Sequence, residues 1–320
     1  MDIIDLSELG IYEYPISRKK ICYEDPREFI IDSKRIRRCT LVYLPQKIIG
    51  GYGILQFALR NNKQVLIKGP SYEGDSFINE GLIQYYSYKI LEKYNLQFSI
   101  PKVYEIFLKG NNIYLCMEYL ETITFDNFLL QSNQPENDLL LSLLQICIIL
   151  NILENKIHFN HRDLRITNVL ILKKPTEYTF NYQSKKYKMQ SSFHICLIDF
   201  GFACIGKEKT IINANEKLFS NNVKCLKDGR DIFQLLISIW SIKEIRNKVN
   251  ESFKEKINGL LNHPDNIYSN LPKWKEYINL EETKWTYTFT GCEDFNMKHL
   301  KPKHFIGTLI ELLDLDTCAV

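Results

Sequence analysis

The sequence predicts an α+β protein, rich in sheet over its first part and mainly helical over its second. Residues 64–68, 100–107 and 113–120 are short apolar or alternating runs of the kind that form strands. Residues 139–153 are apolar almost all round, as in a helix at the centre of a larger body. Two acid-bearing segments, around Asp163 and Asp199, border the apolar runs 169–172 and 195–198, which read as short buried strands that fix the neighbouring loops.

Composition sets the outer limits. At 320 residues and 37.8 kDa the chain can hold one large domain or two lobes, and 45% hydrophobic with 25% charged residues is ordinary for a globular protein. A net charge of +3, from 41 basic against 38 acidic residues, does not indicate nucleic acid as a partner. The nine cysteines show no Cys-x-x-Cys pair, so they are expected to be reduced thiols in an intracellular, cytoplasmic protein. No membrane partner is expected: Met1-Asp2-Ile3-Ile4-Asp5 has no secretory pattern, and residues 139–153 are shorter than the ~20 a bilayer span needs.

The chemistry starts at His161-Arg162-Asp163-Leu164-Arg165-Ile166-Thr167-Asn168 and Asp199-Phe200-Gly201. Asp163 offers a carboxylate to orient a hydroxyl nucleophile. Asn168 and Asp199 offer oxygen to Mg²⁺. In this order the two segments resemble the catalytic loop and the metal-binding Asp-Phe-Gly of the eukaryotic protein kinase family. The resemblance implies a bilobal fold, with a sheet-rich N-lobe at about 43–120 and a mainly helical C-lobe at about 121–320. Residues 1–42 then form an N-terminal extension packed on the first lobe, its basic cluster Lys34-Arg35-Ile36-Arg37-Arg38 on a solvated face.

Along the first lobe, Ile48-Ile49-Gly50-Gly51-Tyr52-Gly53-Ile54-Leu55 carries glycines that let backbone N–H groups approach phosphate. Against the family's glycine-rich loop, Gly50 and Gly53 fill the second and third glycine positions, Leu55 the apolar one, and Ile48 replaces the first glycine. Lys68 ends the strand 64–68 as the family's phosphate-contacting lysine does. Residues 76–94 show helical spacing, capped by Asp75 or Ser76, and Glu80 is expected to pair with Lys68. Gly81 lowers that helix by about 1 kcal/mol relative to Ala, which implies close packing or mobility there. Residues 100–107 and 113–120 are strands around a turn at 109–112. By position Met117 is the gatekeeper, and the backbone of Glu118 to Leu120 faces adenine.

The second lobe opens with a short helix at 125–130, followed by the buried helix from about 138 to 153. His161 is read as a packed structural residue. The resemblance makes Asp163 the catalytic base, leaves Arg162 free to pair with an activation-loop phosphate, and puts Arg165 where Ser/Thr kinases carry Lys, to neutralise the γ-phosphate. Residues 173–192 read as a surface insertion between two paired strands. Thr210 is a candidate phosphorylation site, although no Ala-Pro-Glu follows it. Asp231 matches the buried aspartate that supports the catalytic loop, and 305–313 is the final helix.

The function implied is transfer of the γ-phosphate of Mg-ATP to a protein hydroxyl, on Ser or Thr by family base rates. A pseudokinase serving as a nucleotide-binding or scaffold protein is the rival suggested by Ile48 and the missing Ala-Pro-Glu. A small-molecule phosphotransferase is less well matched, because such enzymes carry His-Gly-Asp where this chain has His161-Arg162-Asp163. The Asn-, Ile-, Lys- and Tyr-rich composition makes the chain similar to kinases of large DNA viruses or protists.

Overall fold

The computed structural model describes residues 4–5, 41–49, 53–71, 77–109, 112–207, 211–219, 224–263 and 295–317. Gly50, Gly51, the cap at Asp75 or Ser76, the basic cluster at 34–38, the turn residues 110–111, Thr210, Trp274 and Trp285 lie outside the described residues.

After β1 (Ile4–Asp5), five strands build the first part: β2 (Leu41–Ile49), β3 (Ile54–Arg60), β4 (Lys63–Gly69), β5 (Val103–Lys109) and β6 (Asn112–Glu118). They form one antiparallel sheet in the order β2-β3-β4-β6-β5. The β3–β4 turn is Asn61-Asn62, with φ of 49° and 64°. Asparagine tolerates the left-handed region, and two such residues give the turn twist that matches a hairpin.

Helix α1 (Ile78–Glu92) lies against this sheet. Gly81 accounts for the closeness: a Cβ there would stand 2.7 Å from Ile106 Cδ1 and 3.0 Å from Leu115 Cδ1. The helix-weakening residue is therefore where the helix meets β5 and β6, and close packing is the reason for it.

The second part is assembled around α3 (Pro135–Ile157), preceded by β7 (Ile123–Thr124) and α2 (Phe125–Gln131). Every residue from Leu139 to Glu154 is buried. Helix α3 is longer than the sequence suggested and, by length and composition, could cross a bilayer, but 89% of its most apolar stretch is buried inside the fold. Next come β8 (Val169–Leu172), β9 (Thr176–Tyr182), β10 (Lys185–Ser191), β11 (His194–Leu197), β12 (Cys204–Ile205) and β13 (Ile212–Asn213). The remaining α-helices among the described residues are α4 (Arg230–Ser241), α5 (Lys243–Lys248), α6 (Glu251–Leu261) and α7 (Pro302–Leu312). Strands β8 and β11 pair antiparallel, which brings the ends of the two acid-bearing segments side by side. The predicted architecture of a sheet-rich first part and a mainly helical second part is thus present.

The insertion at 173–192 does separate two paired strands, β8 and β11, and is itself a hairpin of β9 and β10 whose Tyr178, Phe180, Tyr187 and Met189 are buried. Two expectations need correction. The described residues of the N-terminal extension, Ile4 and Asp5, pair in parallel with β9 and so lie on the second part, not on the first. The cysteines are not all reduced thiols, since Cys204 and Cys225 form a disulfide, while Cys116, Cys147 and Cys196 are buried thiols. The pair escapes a spacing test because its members are 21 residues apart and meet only through the fold.

Candidate active site

The catalytic loop hangs from helix α4. Asp231, 2% exposed, accepts from Asn160 Nδ2 at 2.8 Å and His161 N at 2.7 Å on Oδ2, and from Arg162 N at 2.9 Å on Oδ1. Buried N–H groups need acceptors, and one carboxylate here serves three of them. Two residues of α4 extend the support: Ser238 Oγ accepts from Ile166 N at 3.0 Å, and Gln234 Nε2 donates to Asp163 Oδ1 at 3.4 Å. His161 packs on Phe200 with ring centroids 5.3 Å apart and its Nε2 lies 3.0 Å from Ile198 O, the structural place expected of it.

Within the loop, Asp163 is 3% exposed. Its Oδ2 accepts from Arg165 Nη2 at 3.0 Å and from Asn168 Nδ2 at 3.1 Å. Asn168 Nδ2 also donates to Asp163 O at 2.8 Å. The amide nitrogen of Asn168 is thus committed to Asp163, which leaves the carboxamide oxygen as the group it can offer a cation. The Arg165 side chain is already engaged with the carboxylate it neighbours.

Facing the loop is a buried ionic cluster drawn from three elements. Lys68 Nζ, on β4, lies 2.6 Å from Glu80 Oε1 on α1 and 2.9 Å from Asp199 Oδ1. Lys68 and Glu80 are 9% and 4% exposed, whereas the Asp199 side chain is 45% exposed and opens toward solvent. Burial works to lower the Lys68 pKa, but the charges of Asp199 and Glu80 and their hydrogen bonds outweigh it, and the ammonium is held charged. The Lys68 charge keeps the Asp199 carboxyl below its ordinary range. Burial raises the pKa of Glu80, against the pull of Lys68. Gly201 keeps the cluster tight, since a Cβ there would stand 3.3 Å from Asp199 Oδ1 and 3.4 Å from Glu80 Oε2. Asp199 itself adopts a left-handed backbone, φ 61°, as does Arg162 at 64°. Such φ values cost a non-glycine residue on the order of 1–3 kcal/mol and persist only where surrounding contacts enforce them.

Gly53 is buried near this cluster: a Cβ on it would stand 3.1 Å from Gly69 O and from Phe77 Cζ, so the backbone before β3 lies closely on β4 and the start of α1. Phe77 also puts its ring 5.4 Å from Lys68 Nζ. Leu55 is half-buried in the same apolar cluster as Phe77 and Met117. Ile48, at the end of β2, is 54% exposed. Glu118 and Leu120 are half-buried just past Met117, at the edge where the first part meets the second. The Glu118 N–H is not open to a ligand, because it donates to Lys102 O at 2.8 Å.

The oxygens fit a hard cation. Asn168 Oδ1 and the exposed Asp199 carboxylate give a small all-oxygen donor set, which suits Mg²⁺ when phosphate oxygens and water complete the octahedron. Among the described residues no group of three or more His, Cys, Asp or Glu stands ready to hold a metal alone.

Sequence reasoning missed three side chains here, Gln234, Ser238 and Asn213, all neutral. Arg162 is the other departure: it is fully buried, donating to Asn213 Oδ1 at 2.7 Å and Lys224 O at 3.5 Å, with Phe219's ring centroid 4.8 Å from its guanidinium. It is therefore not free to await a phosphate.

A sheet-borne lysine paired with a helix glutamate, facing a loop that carries an aspartate and an asparagine, defines the eukaryotic-type protein kinase class. Residues 50–222, just over half of the chain, match the protein kinase domain family, and the chain belongs to it. A viral relative, "Probable kinase 098L" of Invertebrate iridescent virus 3, is 23% identical over 145 residues, which is 44% of this chain and 27% of that protein. The chain thus matches about a quarter of that relative's length. Among solved structures, the autoinhibited serine kinase domain of the giant muscle protein titin aligns with 87% of this chain and 89% of its own, at 12% identity and a TM-score of 0.41. Vaccinia related kinase 3 aligns over the same shares, at 15% identity and a TM-score of 0.42.

Proposed function

We propose that this chain is an active protein kinase that transfers the γ-phosphate of ATP to a Ser or Thr hydroxyl. The observation that carries the reading is the Lys68–Glu80–Asp199 cluster set opposite Asp163 and Asn168. A buried lysine bonded to two carboxylates is costly to assemble without a ligand to serve. In this reading Lys68, oriented by Glu80, binds the α and β phosphates, and the glycine-bearing stretch with Gly50, Gly51 and Gly53 covers them. Ile48 and Leu55 line the nucleotide, and the backbone at Glu118 and Leu120 borders the adenine.

Asn168 and Asp199 would hold Mg²⁺, which when bound neutralises phosphate charge. Asp163 orients the acceptor hydroxyl and takes its proton, and Arg165, released from Asp163, meets the charge of the γ-phosphate. Catalysis comes from positioning and electrostatics, since the protein itself forms no covalent bond to the phosphoryl group. Dependence on Mg-ATP argues for an intracellular site of action.

The test is transfer of labelled γ-phosphate from Mg-ATP to a mixed protein substrate, comparing the native chain with Asp163→Asn. Loss of transfer in the variant, with label on phosphoserine or phosphothreonine, supports the reading. Nucleotide binding with no transfer by the native chain would make it a pseudokinase, and label on small metabolites alone would make it a small-molecule phosphotransferase.

A further inference from the structure

Asn213 meets three elements at once. It is fully buried, and it sits in β13, whose partner Cys204 lies in β12. Its backbone O accepts from Asn79 Nδ2 on α1 at 2.9 Å, and Asn79 is the residue before Glu80. Its Oδ1 accepts from Arg162 Nη1 in the catalytic loop at 2.7 Å, and its Nδ2 donates to Phe219 O at 3.3 Å within its own segment. The side chain thus ties the segment to the catalytic loop and to itself, while the backbone carbonyl of the same residue ties it to α1.

The chemistry at Arg162 sharpens this. A buried guanidinium needs acceptors, and among the described residues they are a carboxamide oxygen, a backbone carbonyl and an aromatic face, all neutral. Its backbone N–H is fixed separately by Asp231. An anion reaching this guanidinium would have to displace the Asn213 side chain from it and so part the catalytic loop from the segment that holds α1. The position that a charged modification would fill is already filled by an uncharged side chain encoded in the sequence.

We propose that Asn213 is a positioning residue for phosphoryl transfer, which couples α1 and its Glu80 to the catalytic loop through Arg162, so that the working arrangement forms with no phosphate on the segment. The proposal rests on the kinase reading above and adds a mode of control to it: activity is set by folding rather than by modification. If Asn213 acts through this link, loss of its side chain lets β13 and the α1 bonded to its backbone move relative to the catalytic loop without emptying the nucleotide site, so turnover falls while ATP still binds.

The experiment compares Asn213→Ala, Asn79→Ala and the double variant with the native chain, each treated with phosphatase. Amide hydrogen exchange is measured beside steady-state transfer. Expected are a fall in kcat of about 10- to 100-fold in Asn213→Ala with the KM for ATP within about threefold, a smaller fall in Asn79→Ala, and a double variant no worse than Asn213→Ala, because residues on one path are non-additive. Exchange should quicken at 78–92 and 160–168 and stay unchanged in α6. Phosphatase-treated native protein and Thr210→Ala should keep activity within about twofold. Loss of most activity on phosphatase treatment, or multiplicative effects in the double variant, would overturn the proposal. If Asn213→Ala does not fold, Asn79→Ala, at a half-buried position, still tests the link to α1. If the native chain transfers no phosphate, the kinase reading fails on its own, and unchanged exchange in α1 of Asn213→Ala then overturns the coupling independently.

Discussion

The catalytic loop and the segment after Gly201 lie against each other, yet they are held by different means. The loop is suspended on a single carboxylate, Asp231, by the main-chain N–H groups of His161 and Arg162 and the side-chain amide of Asn160, so most of its anchoring does not depend on which side chains it carries. The segment is held by side chains that meet across the fold, through Asn213 to Arg162 and Cys204 to Cys225. The loop therefore holds a constant scaffold for variable chemistry, and the segment is where a single substitution can change how the site is held together.

That contrast can be broken first at two aspartates. Asp199→Ala removes a half-exposed carboxylate that raises the pKa of Glu80, so its loss relieves one repulsion as it breaks one ion pair. Transfer should fall by at least about 10³-fold while urea unfolding moves by no more than about 1 kcal/mol. Asp231→Ala should do the reverse of that selectivity. It leaves three buried donors without their acceptor and costs about 3–5 kcal/mol of stability, with activity lost because the loop is lost. Equal destabilisation by the two variants would show that the ionic cluster and the loop anchor are one structural unit.

The disulfide sharpens the other half of the comparison. It closes a loop of 21 residues that contains Asn213, and by chain entropy such a link contributes about 3 kcal/mol. Cys225→Ser, or reduction with dithiothreitol, should lower the unfolding midpoint accordingly and speed proteolysis between 204 and 225, with little change at 160–168. If the catalytic loop loosens as much as the segment, the two regions are not separately supported.

What could be read in the sequence follows the same division. Lys68, Glu80, Asp163, Asn168 and Asp199 were legible because their chemistry demands particular residue types, carried by short motifs in a fixed order, and the structure brings all five to one place. Asp231 was legible for the same reason. Gly81 signalled close packing by being a poor helix former in the middle of a helical pattern. Asn213 and Gln234 were not legible, being neutral residues whose partners lie 51 and 71 positions away. The hairpin β9–β10 was underread: Tyr178 and Phe180, then Tyr187 and Met189, alternate inward around the tight turn Gln183-Ser184, a strand signal hidden by the abundance of lysine.

The smallest effect expected is one of pH, and it lies away from both regions. His194 on β11 is 3% exposed, with Nε2 3.0 Å from Ser99 Oγ and Nδ1 2.9 Å from Tyr178 Oη and 3.2 Å from Thr176 Oγ1. Burial, assisted by the charge of Lys174, lowers its pKa from 6.5 to about 4. A folded-state pKa below the unfolded value means that the unfolded chain takes up the proton first. The stability contributed by neutral His194 is therefore complete above about pH 6.5 and is lost as pH falls toward 4. Between pH 7 and pH 5 the loss from this group is about 2 kcal/mol. His194→Gln, which cannot titrate, should flatten that part of the stability profile. Because the ring joins β11 to residues 97–99 after α1, and neither Asp231 nor Asn213 takes part, acid should lower global stability before it alters the ratio of turnover to nucleotide affinity. A fall in kcat that precedes the fall in stability would instead tie His194 to the site.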